Sequence, residues 1–141
     1  MKVYSRYTDD SGRNWSDPVV VYGETSHTSR SNGIELSTGE LLLPVHRLGT
    51  KAGGVLKSVD KGRSWKRFGV IATPAGQGGE PSIVELKSGR IMMVLRTTDG
   101  YLWSAFSGDK GETWMPPENT GMRAAATSHS LFRMKDGRLG A

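Results

Sequence analysis

Short apolar stretches alternate with polar turns along the whole chain, and helical periodicity is weak throughout. An apolar stretch, a small turn that ends in glycine and a second apolar stretch recur at 34–43, 83–94 and 131–139. The turn glycines, Gly39, Gly89 and Gly137, follow one another at 50 and 48 residues. This pattern predicts β-hairpins that repeat with a period near 50 residues.

A second motif keeps the same period. The pattern Ser/Thr-x-Asp-x-Gly-x-x-Trp occurs at 8–15, 58–65 and 107–114, and its tryptophans lie 50 and 49 residues apart. Two motifs that share one period, with several short strands in each unit, predict propeller blades of four antiparallel strands. In the blade around Gly89 we expect strands at 82–86, at 90–96, at 101–106 and after Trp114.

The octet has a mechanical explanation. Its aspartate can accept hydrogen bonds from nearby backbone N–H groups, and its glycine permits positive φ where the chain bends sharply. Its tryptophan offers a large ring that can be buried between strands or blades. We therefore interpret three sets of residues as structural rather than catalytic: Asp10, Gly12 and Trp15; Asp60, Gly62 and Trp65; and Asp109, Gly111 and Trp114.

The octets resemble the Asp boxes, also called BNR repeats, of the sialidase (neuraminidase) superfamily, and the resemblance covers nearly the whole chain. It implies an all-β fold, the six-bladed β-propeller, of which about three blades' worth of four-stranded sheets is present. We expect the end of one blade at 1–26, full blades at 27–76 and 77–124, and the start of another at 125–141. Two explanations of the split blades stay open. Either the sequence is part of a longer protein, or two copies self-associate through their open blade edges.

The segment 79–96 carries the sharper resemblance. It has a glutamate that opens a strand, an apolar-Glu-Leu-x-x-Gly-Arg turn and an arginine that closes the next strand. In sialidases this glutamate assists a nucleophilic tyrosine and this arginine grips the substrate carboxylate, and the matching residues are Glu80 and Arg96. Hairpin geometry independently places the two opposite each other if Gly89 is the left-handed residue of a three-residue loop. From that opposition alone, a purely structural ion pair is an equally good explanation.

Residues at equivalent positions of the other blades are further candidates. A shift of 50 residues matches Arg30 to Glu80 and His46 to Arg96, so both could contact a substrate. The segment 128–130, which contains His129, occupies the matching place in the last blade. The three histidines are too far apart in the pattern to predict a metal site, and we expect no cofactor.

The resemblance implies a fragment of an exo-α-sialidase-like glycoside hydrolase, which releases terminal sialic acid from glycoconjugates. The family's first arginine and acid/base aspartate would precede this chain, and its nucleophilic tyrosine and third arginine would follow it. We therefore expect the chain to be inactive on its own. Two alternatives stay open: a non-catalytic Asp-box propeller that binds glycans or a protein partner, and a glycosidase of the same fold for another acidic sugar.

Composition adds little to this picture. The chain has no cysteine, which excludes disulfides and thiolate metal sites. Its net charge of +5 comes from scattered lysines and arginines, which indicates a solvated surface that is compatible with an acidic sugar and does not predict nucleic-acid binding. No apolar run is long enough to span a bilayer, and the first residues lack a signal core. We expect no membrane insertion; the compartment stays open, and an extracellular or periplasmic location is compatible with the sequence.

Overall fold

The computed structural model describes residues 2–23, 27–47, 52–73, 79–124 and 128–141. Within these ranges the chain is all-β, and no helix is long and apolar enough to cross a membrane. The strands are β1 (Val3–Ser5), β2 (Val19–Tyr22), β3 (His27–Thr28), β4 (Ile34–Glu35), β5 (Leu41–Arg47), β6 (Ala52–Ser58), β7 (Lys66–Ala72), β8 (Gly79–Glu85), β9 (Ile91–Arg96), β10 (Tyr101–Ser107), β11 (Glu118–Arg123), β12 (Phe132–Arg133) and β13 (Leu139–Gly140).

The strands form four antiparallel sheets that succeed one another along the chain. β1 and β2 make the first sheet, and β12 and β13 make the fourth. The third sheet is a meander in the order β11-β10-β9-β8, and its strands are those expected around Gly89, with bounds that differ by a few residues. In the second sheet β5, β6 and β7 are neighbours, and both β3 and β4 pair with β5. These two short strands therefore act as a single first strand with an interruption.

The sheets pack face to face through alternating strand positions. On β5, Leu42 belongs to a buried cluster with Met93 of the third sheet, whereas Val45 belongs to a cluster with residues of the first sheet. On β9, the residue next to Met93 is Val94, which packs with Leu131 at the start of the fourth sheet. Successive side chains of a strand point to opposite faces, so each central strand contributes to two cores. The apolar stretches that repeat in the sequence form these central strands, which are buried on both faces.

Two ion pairs tie the second sheet to the third near their hairpins. Lys110 Nζ lies 2.6 Å from Glu40 Oε1, and Lys57 Nζ lies 2.7 Å from Glu112 Oε1. The hydrogen bond from Lys110 lowers the pKa of Glu40 to about 2, with a further contribution from Thr38. Because both pairs join residues of different sheets, they help to fix how one sheet sits on the next.

Each octet forms the turn between the last two strands of a sheet. In the third octet, Asp109 Oδ1 accepts hydrogen bonds from Thr113 N at 2.9 Å and from Ser107 Oγ at 2.8 Å. Gly111 has a φ of 86°, in the left-handed region that favours glycine. The first and second octets make the equivalent two contacts through their own aspartates. The aspartate oxygens are thus engaged within their own turns.

The octet tryptophans pack against the preceding sheet. Trp114 lies against Gly69 of β7, where an added Cβ would come within 2.5 Å of the indole ring. Trp65 packs against a cluster that joins Val3 and Val21 of the first sheet to Val45 and Leu56 of the second. Trp15 differs from the expected burial and is 57% exposed, because no described sheet precedes the one that carries it.

The third octet gives a testable acid dependence. Burial by itself would raise the pKa of Asp109, but hydrogen bonds from Thr113 and Ser107 outweigh it and lower the pKa to about 2. Asp109 has a lower pKa in the folded than in the unfolded chain, so its ionised form stabilises the fold. This contribution is complete above the unfolded pKa of about 4 and disappears as the pH falls toward 2. We expect Asp109→Asn to lower the free energy of unfolding at pH 7 by about 1 kcal/mol, because the amide keeps one acceptor oxygen but turns a second donor toward the N–H and hydroxyl groups of Thr113. Its stability should also fall less between pH 4 and pH 2, as urea unfolding at a series of pH values would measure.

Asp9→Asn is the matched control for this experiment. Asp9 is exposed and precedes the aspartate of the first octet, so its replacement removes one carboxylate without breaking an octet hydrogen bond. Asp9→Asn should follow the wild-type curve. An Asp109→Asn curve parallel to the wild type would show that the octet aspartate is not the group that titrates.

Candidate functional site

A tight hairpin between β8 and β9 sets the geometry of the site. Leu86 N donates to Arg90 O at 2.8 Å, and Gly89 N donates to Leu86 O at 3.0 Å. Gly89 has a φ of 79°. The three-residue loop with a left-handed glycine is therefore present as the sequence predicts.

The register changes by one residue near the far end of this hairpin. An unbroken ladder would pair Glu80 with Arg96, but the residue that pairs with Arg96 is Gly79. Glu80 has a φ of 50° and Pro81 has no N–H to donate, and both features fit a β-bulge. The prediction that Glu80 lies directly opposite Arg96 is therefore wrong by one residue of register, because it assumed a ladder without a bulge.

The bulge nevertheless leaves the two side chains in contact. Glu80 Oε2 lies 3.2 Å from Arg96 Nε, and the side chains are 10% and 26% exposed. Both atoms are buried, and neither has a hydrogen-bond partner of good geometry among the described residues. Buried polar atoms are almost always hydrogen-bonded, so an ion pair without such a bond needs an explanation. The two opposite charges are therefore held together by electrostatic attraction rather than by a well-aligned hydrogen bond.

A second guanidinium reaches the same carboxylate from the second sheet. Arg30 Nη1 lies 3.3 Å from Glu80 Oε1, and the Arg30 side chain is 57% exposed. Each carboxylate oxygen therefore has its own cation, and the three side chains together carry one net positive charge. Because the Glu80 side chain is largely buried while that of Arg30 is mostly exposed and that of Arg96 partly exposed, the surface of the cluster is cationic.

Arg30 lies where the first strand of the second sheet is interrupted. Thr28 pairs with His46 and Ile34 pairs with Leu42, so five residues between these pairs on this side correspond to three on β5. The two extra residues take the segment that carries Arg30 out of the ladder. This irregular segment allows the Arg30 side chain to reach a residue of the next sheet.

His46 packs against the residue that precedes Glu80. It is only 7% exposed, and an added Cβ on Gly79 would lie 3.6 Å from His46 Cδ2. Gly79 therefore leaves room for the imidazole ring. A buried ring offers little surface to a ligand, and the substrate contact of His46 stays a prediction.

His129 approaches the charged pair from the segment that leads into the fourth sheet. Its Nε2 lies 3.2 Å from Val94 O, and because a carbonyl only accepts, Nε2 carries the proton of the neutral ring. Burial lowers the pKa of His129; the hydrogen bond to Val94 and the charge of Glu80 oppose this shift, and Arg96 adds to it. The ring is therefore neutral at neutral pH and lies close enough to feel both charges.

These side chains converge because they occupy equivalent places in successive sheets. Arg30 and Glu80 lie near the starts of first strands, and His46 and Arg96 lie near the ends of second strands. His129 lies just before β12. In the part of the chain that the structure describes, no group of three or more His, Cys, Asp or Glu side chains could hold a metal ion. The cluster has the chemistry of an anion site.

The left-handed backbone of Glu80 predicts an unusual order of stability. A residue with a Cβ pays about 1–2 kcal/mol in this conformation, and glycine does not. Glu80→Ala and Glu80→Gly remove the same carboxylate, so their difference isolates the backbone. We expect the glycine variant to be more stable than the alanine variant by about 1 kcal/mol in urea unfolding.

Glu85 provides the matched pair on the same strand. It is not among the residues with positive φ, so there alanine should be more stable than glycine by about 0.5–1 kcal/mol. The same order at positions 80 and 85 would contradict the left-handed bulge.

Known proteins resemble this chain in sequence and in fold. A family model described as a BNR repeat-like domain matches residues 1–141. The chain is 32% identical over 119 residues to an anhydrosialidase of Macrobdella decora, a match that covers 77% of this chain and 16% of that protein. It is 26% identical over 126 residues to a sialidase of Paraclostridium sordellii, which covers 77% of this chain and 31% of that protein.

A solved structure shows the same architecture. A NanB sialidase of Streptococcus pneumoniae superposes with a TM-score of 0.82 at 22% identity, and the match covers 98% of this chain and 23% of that one. The predicted sialidase-type β-propeller fold, present as about three blades' worth, is thereby confirmed. The chain spans less than a third of the length of the curated relatives described above.

Proposed function

Because the chain belongs to the BNR repeat-like domain family of the sialidase superfamily, we propose that it is part of an exo-α-sialidase-like glycoside hydrolase acting on sialylated glycans. In this proposal Glu80 assists a nucleophilic tyrosine and Arg96 binds the substrate carboxylate. The tyrosine, the acid/base aspartate and two further arginines come from outside the chain. The observation that carries the proposal is the buried Glu80 carboxylate held between two guanidiniums, the mostly exposed one of Arg30 and the partly buried one of Arg96.

Arg96 supports the proposal through the atoms that its ion pair leaves unused. The contact with Glu80 uses Nε, and the guanidinium carries two terminal nitrogens besides. A guanidinium binds a planar carboxylate with two parallel N–H groups and stays charged at any physiological pH. A sialic acid carries its carboxylate on the anomeric carbon, so a clamp at Arg96 would also position the reacting centre.

Glu80 supports the proposal as a proton acceptor next to that clamp. A nucleophile that attacks the anomeric carbon meets the charge of the neighbouring carboxylate, which favours a neutral tyrosine over an anionic group. The phenol then needs a base, and general bases contribute by accepting such a proton at hydrogen-bond distance. The Glu80 side chain is 10% exposed, so its carboxylate is largely shielded from bulk water.

The test is an assay of a full-length protein that contains this segment. Release of the fluorophore from a fluorogenic sialoside, and not from a glucuronide, is the expected result. Release from the glucuronide alone would indicate a glycosidase for another acidic sugar. Binding of sialylated glycans without release would indicate a non-catalytic propeller. The 141-residue chain is the negative control, since it supplies only two of the expected catalytic residues.

Self-association is a separate proposal that the fold makes testable. The first and fourth sheets have two strands each, so both leave unpaired strand edges within the described residues, and such edges favour pairing with another chain. A first sheet of one copy and a fourth sheet of another would together make a four-stranded sheet. Native mass measurement should find a dimer of the 141-residue chain. A clean monomer would contradict the pairing.

A further inference from the structure

We propose that Arg30 is an exchangeable partner of Glu80. A ligand carboxylate that binds Arg96 draws Arg30 away from Glu80 Oε1, and both guanidiniums then hold the ligand. The proposal rests on the proposed function of Glu80 and Arg96. It adds a second cation, supplied by the preceding blade, to the same anion subsite.

The two arginines differ in how firmly the fold holds them. Arg96 pairs on both sides of β9, with Gly79 of β8 and Leu102 of β10, and its side chain is 26% exposed. Arg30 lies in the irregular segment between β3 and β4, and its side chain is 57% exposed. Exposed ion pairs contribute little to stability. Arg30 can therefore leave Glu80 without breaking a strand ladder, whereas Arg96 cannot.

The charge balance defines the class of ligand. Two guanidiniums share one carboxylate, so the cluster carries one uncompensated positive charge. A single carboxylate restores neutrality, and its two oxygens can accept from two guanidiniums on two blades. Charge balance therefore selects a monocarboxylate, which under the proposed function is a monoanionic sugar acid.

The exchange would also prepare Glu80 for its proposed role. In the described state, Arg30 lies at Oε1 and Arg96 at Oε2. Once Arg30 has moved to the ligand, Oε1 is free to accept the hydroxyl proton of the nucleophile. Arg30 is thus a positioning residue that couples anion binding to the availability of a base. A ligand without a carboxylate would leave Arg30 on Glu80.

The experiment observes both guanidiniums directly in the 141-residue chain. The ¹⁵N-detected Nε signals of Arg30 and Arg96 are followed by NMR during titration with N-acetylneuraminic acid, with its methyl ester as the uncharged probe. We expect the acid to shift both signals along one binding curve and the ester to shift neither. Arg30→Gln should weaken binding of the acid at least fivefold, since hydrogen bonds between charged groups are among the stronger ones.

Two matched controls separate the exchange from a general charge effect. Arg123→Gln removes the same charge from an exposed position of β11 and should bind the acid as the wild type does. Glu80→Gln removes the carboxylate that competes with the ligand for Arg30 and should strengthen binding of the acid about threefold or more. Its control is Glu118→Gln, which changes the net charge by the same amount at an exposed position, and the gain should exceed any change in that variant. In the Arg30→Gln background the gain should be smaller, because Arg96 is then the one guanidinium of this pair for which Glu80 competes with the acid.

The outcomes distinguish the two proposals. Equal binding by Arg30→Gln and Arg123→Gln, or an Arg96 signal that saturates while Arg30 stays unshifted, overturns the exchange and leaves the role of Arg96 intact. Absence of any shift in the wild-type chain also overturns it. If a full-length protein does not hydrolyse sialosides but Arg30→Gln still weakens acid binding, the sialidase proposal fails and the two-armed anion site stands.

Discussion

Arg96→Ala, made in a full-length protein that carries this segment, should lower kcat/KM for a fluorogenic sialoside by about 10²- to 10³-fold, because truncating one partner of a buried charge pair costs about 2–5 kcal/mol. Two losses combine in this variant. The substrate loses its carboxylate clamp, and Glu80 loses the cation at Oε2 while keeping only the exposed Arg30. KM should rise and carry much of the effect, as steady-state kinetics would show.

Two further variants make this result specific to the guanidinium. Arg96→Lys keeps the charge but loses the two-pronged geometry, so its kcat/KM should fall between those of the wild type and Arg96→Ala. Arg123→Ala changes an exposed residue of β11 and should leave the kinetics within twofold of the wild type. Near-normal values for Arg96→Ala would remove Arg96 from the site.

Glu80→Gln in the same protein should reduce kcat by about 10²- to 10⁴-fold, the range that a general base contributes. The amide has nearly the shape of the carboxylate but does not accept a proton from a phenol. KM should stay the same or fall, because Arg30 and Arg96 lose an internal competitor for the substrate carboxylate. The split between kcat and KM separates this variant from Arg96→Ala.

The control for Glu80→Gln is Glu118→Gln. Glu118 is exposed on β11, so its replacement tests the change in net charge alone, and kcat should be unaffected. A kcat for Glu80→Gln within a few-fold of the wild type would mean that the carboxylate only holds the two arginines in place.

The hairpin that ends at Gly89 was predictable from the sequence because its chemistry is local. A left-handed position favours glycine, and the apolar alternation on either side selects strands that bury both faces. The octets were recognisable for the same reason, since each aspartate satisfies groups within four residues of itself. The same local hydrogen bonds form in every copy of the octet, so the residue types that make them recur in the sequence.

The candidate site was less accessible to such reasoning. Contact between Glu80 and Arg96 was expected, but through an unbroken ladder, and nothing in the apolar pattern marks the bulge apart from Pro81. Pairing of Arg30 with Glu80 depends on how the second sheet sits on the third. That placement follows from packing between residues about 50 positions apart, such as Leu42 and Met93. The repeat matched Arg30 to the position of Glu80 but did not show that the two would meet.

Within the described residues, two octet tryptophans pack in the same direction along the chain, each against the sheet that precedes its own. Trp114 of the third sheet packs against Gly69 of the second, and Trp65 of the second sheet packs against the cluster that contains Val3 and Val21 of the first. In an array coupled only between neighbours, loss of the first sheet should therefore expose Trp65 further, and loss of the second sheet should expose Trp114.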